Sequence, residues 1–299
     1  MYFSCYPVAN LPLLEGKMRE SVQTSLSWRN DTTGIWETAG WWNSANVLTA
    51  TIRYGAVTKD PAIPSVIEDV FEKARHYQVG VDSTGTPRYC DNFINDYYDD
   101  EGWWALAWIE ASKLTGEKKY LDMAEIIFDD MTTGWSDACG GGIFWKKNPL
   151  HYKNSIANNL FSLTAIRLYK ATQNPAYLDW FKKNVDWYTQ TGMINTDIYQ
   201  IEDGTKDDCT PNRNAHYTYN QGVAIAVLAE MYLQTNDKSY LELAEKIADA
   251  TITTQLVTDE GILREMKPEI DDSNDGVQFK GIFIRHLAFL YEVTKNPAY

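Results

Sequence analysis

The sequence predicts an all-α protein, a toroid of helical hairpins in which an inner circle of apolar helices is wrapped by outer amphipathic ones. Three observations predict it. One polar turn recurs five times along the 299 residues. A segment of helical length, apolar on most sides, precedes each copy, and segments with a single apolar face follow.

The turns are Thr58-Lys59-Asp60-Pro61-Ala62-Ile63, Thr115-Gly116-Glu117-Lys118-Lys119-Tyr120, Thr172-Gln173-Asn174-Pro175-Ala176-Tyr177, Thr235-Asn236-Asp237-Lys238-Ser239-Tyr240 and Thr294-Lys295-Asn296-Pro297-Ala298-Tyr299, spaced by 57, 57, 63 and 59 residues. Each joins a polar break to an Asp, Asn or Glu at a helix cap. Proline often follows, where its missing N–H does no harm.

Taken in order, Leu14–Trp28 is expected as a first outer helix and Trp41–Val57 as the first inner one. Asp99–Leu114, Ile156–Ala171, Tyr219–Gln234 and Gly276–Val293 are the other inner helices, buried on most sides because they are apolar on most sides. Outer helices show one apolar stripe at helical period: Tyr120, Leu121, Ala124, Phe128; then Tyr177, Leu178, Phe181, Val185; then Tyr240, Leu241, Ala244, Ala248. The tally is five inner and five outer helices in one domain, 1–299, with no Pro/Gly/Ser linker to divide it. Because the last turn copies the third and the chain then stops, the expectation is a toroid short of about one hairpin. Apolar flanks should be exposed at the seam, favouring aggregation or dimerisation of a protein otherwise expected to be a monomer.

Composition narrows the function. With 41 acidic against 27 Lys and Arg residues the net charge is −14, which repels a phosphate backbone and excludes nucleic acid as partner. Eleven Trp and 19 Tyr supply flat amphipathic rings suited to sugar faces as well as cores. Cys5, Cys90, Cys139 and Cys209 are widely spaced, without a Cys-x-x-Cys pair or a His at ligand spacing. No metal site or cofactor is therefore expected, and three disulfide pairings fit equally well. His76, His151, His216 and His286 are too scattered for a triad. No run is long enough to span a membrane, and the N-terminus lacks the pattern of a signal peptide.

The chemistry concentrates where inner helices begin. Asp99 and Asp100 sit sixteen and fifteen residues before their turn threonine; Trp42/Asn43, Tyr219/Asn220, Ile156/Ala157 and Gln278/Phe279 hold the same offsets, with Asn158 and Lys280 one residue further on. Acidic residues in a first turn are also what an ordinary helix start looks like. Trp, Tyr, Phe and Gln are poor caps, however, and parallel inner helices bring their N-termini to one end of the ring, so these side chains are expected to converge on one cavity. Ser136–Trp145 carries three glycines, for a tight turn or a close approach to ligand, and no Gly-Lys-Ser/Thr of a phosphate loop. Asp271–Gly276 half resembles a calcium loop, but Ile282 stands where the acidic ligand is required, leaving a solvated helix lead-in as the expectation. Two carboxyls can perform glycoside hydrolysis, and consecutive residues at a loop–helix junction can meet the short spacing of a retaining mechanism. Which one is the acid is left open, since neighbouring charge raises a carboxyl pKa and the helix N-terminus lowers it.

Tyr98-Asp99-Asp100-Glu101-Gly102-Trp103-Trp104, with Gly40-Trp41-Trp42-Asn43-Ser44-Ala45-Asn46, Cys139–Trp145, Tyr152-Lys153-Asn154, Thr218–Gly222 and Phe279-Lys280-Gly281, resembles glycoside hydrolase family 76 over nearly the whole chain from about residue 30. The resemblance implies an (α/α)6 barrel and retaining endo-α-1,6-mannanase activity, with Asp99 as nucleophile and Asp100 as general acid/base. Trp42, Asn43, Tyr98, Trp103, Asn158, Tyr219, Asn220 and Lys280 would line the groove for an α-mannan chain. It also implies an extracellular or cell-wall location, and it includes transglycosidases that share the glycosyl-enzyme intermediate. A non-catalytic glycan-binding protein is the alternative from another class; binding alone does not need the Asp pair.

Overall fold

The computed structural model describes residues 11–81, 84–147, 152–213, 215–254, 256–267 and 275–299. Among them run ten α-helices: α1 (Leu11–Ser27), α2 (Trp41–Thr58), α3 (Ile63–Ala74), α4 (Tyr98–Thr115), α5 (Lys118–Thr132), α6 (Ser155–Thr172), α7 (Pro175–Gln190), α8 (Thr218–Thr235), α9 (Lys238–Thr253) and α10 (Gly276–Thr294). Two small antiparallel hairpins interrupt them, β1 (His76–Val81) with β2 (Pro87–Asp91) and β3 (Ile194–Asn195) with β4 (Gln200–Ile201).

The even-numbered helices form the inner ring, in the order α2, α4, α6, α8, α10, each packed on the next. The odd ones lie outside. Their surfaces differ as the sequence requires: α6 buries an unbroken run from Ser155 to Leu168, whereas α9 buries Ala244, Ile247, Ala248 and Thr251 alone. Between the rings lies the core, where Trp104 stacks on Trp108 (5.7 Å) and Trp108 on Tyr120 (5.7 Å).

The repeated turn is one device used five times. Thr58, Thr115, Thr172, Thr235 and Thr294 each donate Oγ–H to the carbonyl four residues back, at 2.8–2.9 Å. The next residue is left-handed in every copy: Lys59, Gly116, Gln173, Asn236 and Lys295. Asn174 and Asp237 then cap α7 and α9.

At the seam between α10 and α2 a groove of about 570 Å3 is lined by Val47, Ala50, Ile282, Arg53 and Arg285 among others, and nearby Val277 and Ile284 are more than half exposed. That is the apolar flank expected there. Side chains bridge the seam: Arg285 Nη2 donates to Asn46 Oδ1 at 2.6 Å.

A disulfide joins Cys139 to Cys209, so of the three pairings those that separate this couple are ruled out. Cys90 is free and buried, and Cys5 lies outside the described residues, as does the calcium-like stretch 271–274. No helix among the described residues is long and apolar enough to cross a membrane.

Candidate active site

At the end of the ring where the inner helices begin, a cavity of about 390 Å3 opens. The first turn of α4 forms one wall. Tyr97, the residue before it, is extended and offers no side-chain cap, so the helix start is arranged around its own acids. Glu101 points inward and is fully buried, accepting from the Asn95 N–H at 3.0 Å and from Lys147 Nζ at 2.7 Å. Glu101 thus ties the preceding loop to the helix. The carboxyls of Asp99 and Asp100 face the cavity.

Their surroundings differ. Asp99 accepts two hydrogen bonds, from Trp145 Nε1 at 3.0 Å and from the Asp100 N–H at 3.1 Å. Asp100 accepts one, from Asn95 Nδ2 at 2.7 Å. Burial raises both pKa values, pushing Asp99 up to about 7 against the pull of its two donors. Asp100, with fewer donors and Asp99 beside it, is raised well above the usual carboxylate range.

Two further carboxyls complete the lining. Asp203, just after β4, accepts from the Tyr152 hydroxyl and from Asn220 Nδ2 at 3.1 Å; its pKa is raised by burial, and its charge raises that of Asp99. Gly204 allows this approach, because a Cβ there would lie 2.5 Å from the Tyr152 hydroxyl. Asp275, at the start of α10, accepts from Trp42 Nε1 at 3.1 Å and Asn43 Nδ2 at 3.4 Å, closing the mouth across the seam. Rings form the rest: Trp42 stacks on Trp103 (5.9 Å) and Tyr219 on Phe279 (3.9 Å). Such faces suit the C–H surface of a pyranose, and the carboxyls suit its hydroxyls.

The three-glycine loop acts from behind. Lys153 is fully buried and donates to the carbonyls of Ser136 (2.7 Å), Ala138 (2.6 Å) and Gly141. Without a carboxylate in contact, its ammonium is pushed down to about 8 by burial. Trp187 lies so close to Gly142 that a Cβ there would meet the ring at 2.3 Å. What approaches these glycines is therefore Trp187, while their loop cages the ammonium between Tyr152 and Asn154, two lining residues.

Of the residues expected to line the groove, Asp99, Asp100, Trp42, Trp103 and Tyr219 do so. Asn43 and Asn220 stand one layer behind, holding Asp275 and Asp203. Tyr98 is turned away, packed on Gly134 with its hydroxyl 3.0 Å from Thr133 Oγ1, because its neighbours on the helix take the cavity side. Asn158 is buried and brackets Ile143, accepting from its N–H and donating to its carbonyl. Lys280 is half-buried beside Phe279 and outside the lining. Asp203, Asp275, Trp145, Tyr152 and Tyr217 were not among the expected lining. The Glu202-Asp203-Gly204 sequence in a helix lead-in was the one signal for Asp203.

A ring of helical hairpins with a carboxyl pair in an aromatic mouth defines the class: an α/α toroid of the glycoside-hydrolase type. The profile of glycosyl hydrolase family 76 matches residues 17–298, and the chain belongs to that family. It is 29% identical over 217 residues to mannan endo-1,6-alpha-mannosidase DCW1 of Saccharomyces cerevisiae, covering 66% of this chain and 48% of that one. To DCW1 of Candida albicans it is 25% identical over 264 residues, 83% of this chain and 57% of the other. The chain thus spans about half the length of these curated relatives. Among solved structures, the GH76A α-1,6-mannanase of Salegentibacter sp. HEL1_6 superposes with a TM-score of 0.80 at 25% identity, covering 95% of this chain and 82% of that one. With this kinship the architecture is that of the family's (α/α)6 barrels, of which the described residues supply five inner and five outer helices.

Proposed function

We propose that the chain carries the catalytic site of a retaining glycoside hydrolase that cleaves α-1,6-mannosidic bonds in mannan, with Asp99 as nucleophile and Asp100 as general acid/base. The unequal solvation of the pair carries this reading. Asp99, with two donors, is the carboxyl that ionises first. Asp100, buried, with one donor and a carboxyl neighbour, is the one whose surroundings favour the protonated form. Asp99 attacks the anomeric carbon as the glycosidic C–O bond breaks, and the Asp100 proton goes to the leaving oxygen. Water then gives a proton to Asp100 and its oxygen to the anomeric carbon, releasing Asp99.

The substrate class rests on the relatives. An inactive variant of the Salegentibacter mannanase, with two consecutive aspartates changed to alanine, is known in complex with α-1,6-mannotetraose. The yeast relatives bear the name mannan endo-1,6-alpha-mannosidase. The Cys139–Cys209 disulfide fits an oxidising, extracellular or cell-wall setting.

Oligosaccharide release from linear α-1,6-mannan tests the reading. Asp99→Asn should lower it by about 10^3-fold or more, and undiminished release would sink the assignment. Asp100→Asn should lose far less on a mannosyl fluoride, whose leaving group needs no proton, than on mannan.

A further inference from the structure

The cavity over the Asp pair has a neighbour. A second hollow of about 420 Å3 lies beside it, lined by Tyr77, Gln78, Val79 and Arg88 of the β1–β2 hairpin and by Asn95 and Asp96 of the loop before α4. The two share Trp42, Tyr97 and Asp100, whereas Asp99 lines the first alone. Asn95, the donor to Asp100, belongs to the second. Asp99 therefore faces one lobe and Asp100 stands on the partition.

We infer that the β1–β2 hairpin lobe binds the leaving sugar and, after cleavage, the sugar acceptor, so that it decides between hydrolysis and transfer. This rests on the Asp99/Asp100 assignment. An attacking carboxylate must lie under the anomeric carbon, which places the sugar being transferred in the first lobe. The acid must reach the bridging oxygen, which places Asp100 between that sugar and the one departing. The second step runs in reverse: an acceptor hydroxyl gives its proton to Asp100, its oxygen bonds to the anomeric carbon, and the Asp99 ester breaks.

The chemistry of the lobe fits a neutral hexose. Tyr77, Trp41 and Trp42 give ring faces, and Gln78 gives an exposed amide that both donates and accepts, while the Asn95 amide is engaged by Asp100 and by the Tyr97 N–H. Arg88 is already paired with Asp96, so the lobe offers an anion no uncompensated cation. The register of the hairpin is irregular between Gln78 and Gly80, which leaves Val79, a lining residue, without a partner in the ladder.

Gln78→Ala and Arg88→Ala, separately and together, alter exposed strand positions, and their melting temperatures report that folding is intact. Two donors are compared: α-1,6-mannotetraose, which needs a leaving sugar, and α-1,6-mannobiosyl fluoride, which does not. The expected result is a loss of kcat/KM on mannotetraose roughly ten-fold or more beyond any loss on the fluoride. With added mannobiose, the share of transfer products from the fluoride should fall as well. Equal losses on both donors, no loss on either, or a larger loss on the fluoride overturns the lobe assignment while leaving the Asp pair in place. A wild-type protein that turns over neither donor instead removes the glycosidase reading itself, and this inference with it.

Discussion

The two ends of the inner ring carry charge in opposite ways. Five residues before each turn threonine stand Arg53, Glu110, Arg167, Glu230 and Phe289, so that sign alternates around the first four helices. Glu110 meets Arg167 at 3.1 Å and Lys113 at 3.5 Å, and Glu230 meets Lys170. At the other end, Asp99, Asp100, Asp203 and Asp275 meet only neutral donors among the described residues: indole and amide N–H groups and one phenol. The same repeat thus yields a neutralised layer and an unneutralised one about 16 Å apart, eleven residues at the helical rise. Charge that serves the fold is compensated where it lies, and charge that serves chemistry waits for a substrate.

The sharpest way to break that contrast is Glu110→Gln. It leaves Arg167 and Lys113 without their carboxylate, and the fold should lose about 3 kcal/mol in urea titrations, since half of a buried pair is worse than none. Turnover per folded molecule should stay the same. A loss of activity without a loss of stability would show the two ends to be coupled.

Asp203→Asn probes the unneutralised end. Removing that charge removes a push on Asp99, so the acidic limb of the kcat/KM profile, which reports ionisation of the nucleophile, should move to lower pH. Loss of its grip on Tyr152 should lower the plateau by about ten-fold.

Smallest is the effect of Asp100→Asn on stability. The pKa of Asp100 is raised in the fold, so above the unfolded value of about 4 the native state binds more protons than the unfolded chain and stability falls as pH rises. The amide escapes that penalty. Its melting curve should show a gain of about 1 kcal/mol at pH 8 that vanishes near pH 4. A loss at pH 8 would mean that Asp100 is ionised and well held.

What the sequence revealed followed from locality. The turns were legible because every bond in them lies within four residues, from the threonine back-bond to the Asn174 and Asp237 caps. Counting from those turns located Asp99, Asp100, Trp42 and Tyr219 at one mouth. The count misled on α6, where Asn158, expected in the groove, is fully buried. The loop from Trp135 to Trp145 covers that helix start, held by Asn158, and delivers Trp145 to the cavity in its place. Asp203 and Tyr152 escaped for a similar reason. Their positions depend on the Lys153 cage and on a disulfide between residues 70 apart, neither of which leaves a periodic trace.

The contacts across the seam also set an order of events in time. Neighbouring helices in the ring are neighbours in sequence, and each pair can form by closing a loop of tens of residues. Trp42 with Asp275, and Asn46 with Arg285, join residues 233 and 239 positions apart. Their loop-closure entropy is met only once the intervening hairpins have drawn the two ends together. The wall that Trp42, Asp275 and Phe279 give the mouth is thus the last part of the pocket to assemble, and a chain emerging from synthesis has its Asp pair in place well before it has a cleft around it.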